Sequence, residues 1–276
     1  MSIRGRQHHA VVVHDGPENG PSLLADYVMH PPIEITSDED FALQGWPGSG
    51  TPEDPYLIQG LAINSTETCI SIKNTRVSFV IRDCFLIPSP GPASFVTGVG
   101  LTNVTQGEIR NCTLLNLGAA IVATACNRTN IVGNRIDGCF EGLSLFNIVG
   151  PSAVANNTIS TDLWTIIGVV SNVRFVGNTI DARYTPFMAF DSVNCTFTDN
   201  IVRSSFPSGL ELSTCTDWTI ENNVFENGGL GIMSRTVVPS FRINNNTLNG
   251  RPIGYFEDLS DQSLDVTGYG LSLIHI

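Results

Sequence analysis

Phe197-Thr198-Asp199-Asn200-Ile201-Val202 returns as Ile220-Glu221-Asn222-Asn223-Val224-Phe225, and again as Ile243-Asn244-Asn245-Asn246-Thr247-Leu248. Each copy is an apolar residue, two variable residues, an asparagine, one further residue and an apolar residue. Upstream, the same frame holds Asn178 between Phe175 and Ile180, Asn157 between Val154 and Ile159, and Asn134 between Ile131 and Ile136. Two earlier copies, residues 81–86 and 109–114, place Cys84 and Cys112 at the anchor. From Cys84 to Asn246, successive anchors lie 28, 22, 23, 21, 22, 23 and 23 residues apart. A period this short and regular is the signature of a solenoid.

The contents of each repeat decide which solenoid. The apolar positions alternate over short runs rich in β-branched and aromatic residues, broken by Gly, Asn, Ser and Pro. No repeat holds a helix-length stretch with apolar spacing of three and four. Roughly 22 residues divide into three short strands and three turns, and stacked coils then pair in parallel about 4.8 Å apart. The expected fold is all-β: a right-handed, single-stranded parallel β-helix of about nine to ten coils with an N-terminal cap. In such a stack the six asparagines Asn134, Asn157, Asn178, Asn200, Asn223 and Asn246 form an amide ladder. Asparagine also tolerates the left-handed backbone of a tight bend. Cys84 and Cys112 continue the ladder position. A stack of two reduced, buried thiols is the expectation, with a disulfide, which their spacing permits, as the alternative.

The N-x-T-I and N-x-I segments resemble the right-handed parallel β-helix repeat family, which includes NosD-like and carbohydrate-binding or sugar-hydrolase β-helix domains. Residues 32–41, Gly45-Trp46-Pro47-Gly48-Ser49-Gly50-Thr51 and Asp54-Pro55-Tyr56-Leu57-Ile58 look like the N-terminal part of secreted, archaeal-type NosD-like members. The resemblance implies an extracellular or cell-surface address. It leaves the activity open, since this rod hosts lyases, hydrolases, epimerases, adhesins and binding proteins.

The expected organisation is a disordered segment over 1–31, a cap over 32–56 built on Phe41, Trp46 and Tyr56, the β-helix over 57–270, and a non-native tail over 271–276. Residues 250–270 read as one more coil. The ending Leu271-Ser272-Leu273-Ile274-His275-Ile276 resembles translated adapter read-through, so the chain is expected to be part of a longer one. The net charge is −12, with Lys73 the single lysine, which excludes the clustered cations that nucleic acid needs. Apolar runs are strand-length, so no transmembrane segment is expected, and no secretory h-region is visible. Seven N-x-S/T sequons, at Asn64, Asn103, Asn111, Asn127, Asn156, Asn194 and Asn245, are glycan acceptors or a by-product of an Asn- and Thr-rich repeat.

The chemistry is sparse. NosD-like proteins are linked to copper-site maturation, but the histidines are His8, His9, His14, His30 and His275, leaving the body with none, which argues against copper. No cofactor is expected, with calcium left open. The polygalacturonase G-H-G and R-I-K motifs and the alginate-epimerase D-P-H motif are absent. An arginine-based lyase or a glycoside hydrolase would have to draw on Asp162, Asp181, Arg183 and Arg203, which also read as solvated surface charge. One pattern is clearer. Phe140, Trp164, Tyr184 and Phe206 lie 6, 7, 6 and 6 residues after their ladder asparagines. Four consecutive coils thus carry an aromatic in the same loop, near Glu141, Asp162, Asp181, Arg183 and Arg203. Such a stripe either seals the rod or binds a sugar chain. The leading expectation is a non-catalytic rod that binds a polysaccharide, a surface glycoconjugate or another surface partner along that edge. A lyase or hydrolase, and a purely structural rod, are the alternatives.

Overall fold

The computed structural model describes residues 27–90, 95–233, 240–254 and 274–275. The expectations for the N-terminal histidines, for most of the disordered segment, and for most of the last coil and tail lie outside the described residues.

Strands wind around one axis in three parallel sheets. Sheet B stacks Tyr56–Gln59, Phe79–Arg82, Gly107–Arg110, Asn130–Val132, residues 153–155 and 174–176, Thr196–Thr198, Trp218–Glu221 and Phe241–Asn244. Sheet C follows each of these across the ladder turn, from Leu61–Ser65 through Phe85–Pro88 and Thr113–Leu115 to Ile201–Ser204 and Val224–Glu226. Sheet A completes each coil, with Ile70–Thr75, Thr97–Val104, Ala119–Thr124, Phe187–Phe190, Ser208–Ser213 and Gly229–Met233 among its members. Eight complete coils lie among the described residues, with partial turns before and after. In the fourth and fifth coils the strands do not stop at the corners. They run on as the ribbons Arg135–Ala155 and Thr158–Val176, accommodated by register shifts such as Asp137/Cys139 and Phe146/Ile148. After Thr247–Leu248 the chain turns back, and Arg251–Pro252 pairs antiparallel with it, so a parallel coil does not begin directly there. Ile274–His275 lies parallel to Ile232–Met233.

The period-2 pattern explains the core. Alternate residues of every strand point into the rod, and the rows stack: Ile58, Ile81, Ile109, Ile131, Val154, Phe175, Phe197 and Ile220 in sheet B are all buried. Each such side chain contributes about 1.5–3 kcal/mol by leaving water. In the sixth to eighth coils the filling is aromatic. Phe175 meets Phe187 edge-on at 4.8 Å and stacks on Trp218 at 6.2 Å. Trp218 Nε1–H donates to the Ser192 carbonyl at 3.2 Å, so the indole is buried without an orphaned donor.

The N-terminal segment covers the first coil. The short helix Asp38–Leu43 inserts Phe41, fully buried, against Tyr56 at 4.9 Å and Phe79 at 5.5 Å. Asp38 Oδ1 accepts the backbone N–H groups of Arg76 (2.6 Å) and Val77 (3.2 Å), which ties the helix to the rod. Asp40 Oδ2 accepts from Thr36 N and Thr36 Oγ1, both at 2.7 Å, and from Ser37 N at 3.2 Å. These bonds, led by the Thr36 backbone N–H, hold the Asp40 carboxyl below its ordinary value.

Candidate functional site: an aromatic corner on the rod

The ladder asparagines are buried, and the amides from Asn157 to Asn223 are saturated. Each Nδ2 donates to the next Oδ1 at 2.8–3.0 Å, from Asn134 to Asn246. The second Nδ2 proton goes to a carbonyl of the preceding coil, such as Val154 O for Asn178 at 2.9 Å. Each Oδ1 also accepts the backbone N–H of the ladder residue before it, as Asn200 Oδ1 does from Asn178 N at 2.9 Å. From Asn157 to Asn223 no amide function is left for a ligand. The left-handed backbone expected of these asparagines belongs to the residue just before each one: Gly133, Asn156, Gly177, Asp199, Asn222 and Asn245 have φ between 54° and 66°, and Asn111, before Cys112, has 52°. The reason is geometric, since the bend must be finished before the ladder side chain can turn inward.

Cys84 and Cys112 hold the ladder position as free, buried thiols. The hydrogen bond between them, with burial second, raises Cys112, while the same bond lowers Cys84. Elsewhere burial pushes Cys69 up to about 12 and Cys139, Cys195 and Cys215 up to about 11, leaving these thiols protonated at neutral pH. Among the described residues no three His, Cys, Asp or Glu side chains form a metal-ligand set.

The four sequence-selected aromatics all lie at the corner where sheet C turns into sheet A. Phe140, Tyr184 and Phe206 are 46%, 50% and 45% exposed, and Trp164 is half-buried. They do not share one register. Ala182 pairs with Ser204, so Tyr184 and Phe206 are equivalent, but Trp164 pairs with Glu141, one residue beyond Phe140. The bulges on either side of Cys139 cause this offset. Sequence spacing missed Phe95, which lies 59% exposed at the same corner with its ring edge-on to Phe140 at 6.0 Å. The coil between them presents Gly118, where an added Cβ would come within 2.7 Å of the Phe95 ring. The glycine lets Phe95 lie across that coil. Its place in the long 28-residue repeat hid it from a count based on the ladder.

The charged candidates line the adjoining outer face of sheet C. Asp137, Ser160, Asp181, Arg203 and Glu226 form one outward row on successive coils. Arg203 Nε bonds Glu226 Oε2 at 2.8 Å, and Arg135 pairs with Asp137 at 3.0 Å. Glu141 Oε2 accepts from Ser144 Oγ at 3.0 Å. Asp162, Asp181 and Arg183 are exposed. Arg203 is thus engaged with Glu226, on the side of the row away from Asp181. The surface pairs themselves contribute little to stability.

The sequence pattern described for the right handed beta helix region matches residues 152–270. The chain carries a right-handed β-helix. Among solved structures, this β-helix is similar to PfbA, a surface adhesin of Streptococcus pneumoniae, at 10% identity over 81% of this chain and 70% of that one, with a TM-score of 0.50. It is also similar to the A-module of the Azotobacter vinelandii mannuronan C-5 epimerase AlgE4, at 13% identity, 83% and 89% coverage and a TM-score of 0.37. A pectate lyase from Bacillus sp. N165, Bsp165PelA, in complex with trigalacturonate, matches at 13% identity, 88% and 89% coverage and a TM-score of 0.36. At 10% identity the likeness to the adhesin is one of fold alone. No curated protein sequence matches the chain. Among the described residues no helix is long and apolar enough to cross a membrane.

Proposed function

We propose that this β-helix binds an extended polysaccharide or glycoconjugate along the C-to-A corner, without cleaving it, at a cell surface or outside the cell. One observation carries the reading: Phe140, Tyr184 and Phe206 leave about half their surface in water at the same corner of the rod. Exposed rings at one place are costly unless something covers them. A sugar chain suits them, because its C–H faces stack on rings while its hydroxyls reach nearby carboxylates and guanidinium groups. In this proposal the exposed Asp162, Asp181 and Arg183 supply those groups. The adhesin of similar fold is consistent with a surface address but supplies no ligand.

Cleavage is the weaker reading. It needs a free base and an acid across one bond, and Arg203, one of its candidates, is already bound to Glu226. A glycan array tests the proposal. Retention of one class of glycan by the intact chain, with its length unchanged on prolonged incubation, supports non-catalytic binding. Shortened glycan transfers the role to the charged row, and no retention at all removes the proposal.

A further inference from the structure

The first coil carries an open groove of about 380 Å³ on the outer face of sheet A, lined by Pro32, Glu34, Glu67, Thr68, Ser71 and Lys73. That volume lies in the range of small-ligand sites. Small residues make the hollow. On successive coils Glu34 pairs with Ser71, and Ser71 with Gly100. A Cβ on Gly100 would meet nothing nearer than Thr68 Cγ2 at 3.6 Å, so the groove stays open toward the second coil. Glu67 and Thr68 lie in the turn that leads from sheet C, ending at Ser65, into sheet A, starting at Ile70. The groove therefore opens at the same corner as the exposed rings, at its N-terminal end.

The polar groups of the groove select its ligand. Lys73 Nζ bonds Glu34 Oε1 at 3.1 Å, with the two side chains 45% and 64% exposed. An ion pair this exposed adds little stability of its own, so a ligand can share it. Two neighbouring hydroxyls of a sugar ring match the pair, one accepting from the ammonium and the next donating to the carboxylate. Ser71, Thr68 and Glu67 supply further hydroxyl and carboxylate partners around the same space. An acid group is disfavoured twice. It would have to displace Glu34 from Lys73, and it would face two carboxylates against the single lysine of the chain. We infer that this groove is a binding site for one sugar unit that carries no acid group.

Lys73 makes the test direct, because isotope-labelled lysine gives one side-chain magnetic resonance signal in the whole chain. Glucose, galactose, mannose and glucuronate would each be titrated into the intact chain. At least one neutral hexose is expected to shift the Lys73 signal saturably, with half-saturation in roughly the millimolar range, and glucuronate to bind more weakly. Ser71→Phe, an outward strand position, should fill the groove and abolish the shift while keeping the β-sheet circular dichroism. Glu34→Gln removes the charged acceptor without filling space and should weaken binding about fivefold. No shift with any neutral hexose overturns the inference, as does a glucuronate response equal to or stronger than theirs. A shift that survives Ser71→Phe, or an affinity unchanged in Glu34→Gln, also overturns it by placing the sugar elsewhere. The groove stands apart from the rings. A Lys73 response without retention on the glycan array would uphold the groove alone, and retention without a Lys73 response would remove the groove and leave the ring corner.

Discussion

At the scale of the residue, a ladder asparagine is worth more than its hydrogen-bond count. Asn178→Ala removes the acceptor for both Asn157 N and Asn157 Nδ2, and the donor to Val154 O, inside a dry rod. Buried groups left unpaired cost about 1–3 kcal/mol each, so a loss of roughly 3 kcal/mol is expected in urea unfolding. A drop under about 1 kcal/mol would show that water or backbone movement repairs the gap. Asp40 gives a pH-dependent counterpart. Its folded value lies below the unfolded one, so its contribution is present above the ordinary carboxylate range and is lost as pH falls through the lower folded value. Asp40→Asn is therefore expected to flatten the acid limb of the stability curve and to leave its high-pH side parallel to wild type. The ladder positions were legible in the sequence because one structural role recurs at one spacing. The left-handed residue was assigned one position late, because Asn and Gly alternate at the bend (Asn111, Gly133, Asn156, Gly177) and mask its single geometric role.

At the scale of the element, strand and turn were readable wherever apolar residues alternate and an asparagine breaks the run. The ribbons of coils four and five were not, because bulges at Cys139 and Ile148 keep hydrogen bonding continuous around corners that the pattern marks as breaks. The same bulges displace Trp164 from the register of Phe140, so equal spacing from the ladder did not mean equal position. Phe95 escaped for a related reason, since the long second repeat moves it off the count. The aromatic filling between sheets A and B can be probed directly. Trp218→Ala removes a fully buried indole stacked on Phe175 and edge-on to Phe187. It is expected to cost about 4 kcal/mol in chemical denaturation, with the loss concentrated in the sixth to ninth coils by amide exchange. Uniform loss of protection along the rod would mean that the coils unfold as one unit.

At the scale of the molecule, the rod divides its surface by chemistry. The ladder turn is satisfied from within, sheet C carries an outward row of charge, and the corner between sheets C and A carries exposed rings. That division is what the one-dimensional repeat makes available, because a residue type kept at one position in several coils becomes a stripe. The most direct test of the glycan-binding account is a calorimetric titration. The glycan that the array selects would be titrated into the wild-type chain and into a Tyr184→Ala/Phe206→Ala variant. The rings are half outside the core, so the variant should keep its thermal stability to within a few degrees. Affinity should fall by roughly threefold to tenfold for each ring removed. Unchanged affinity in a folded variant would contradict the account and move the binding surface off the aromatic corner.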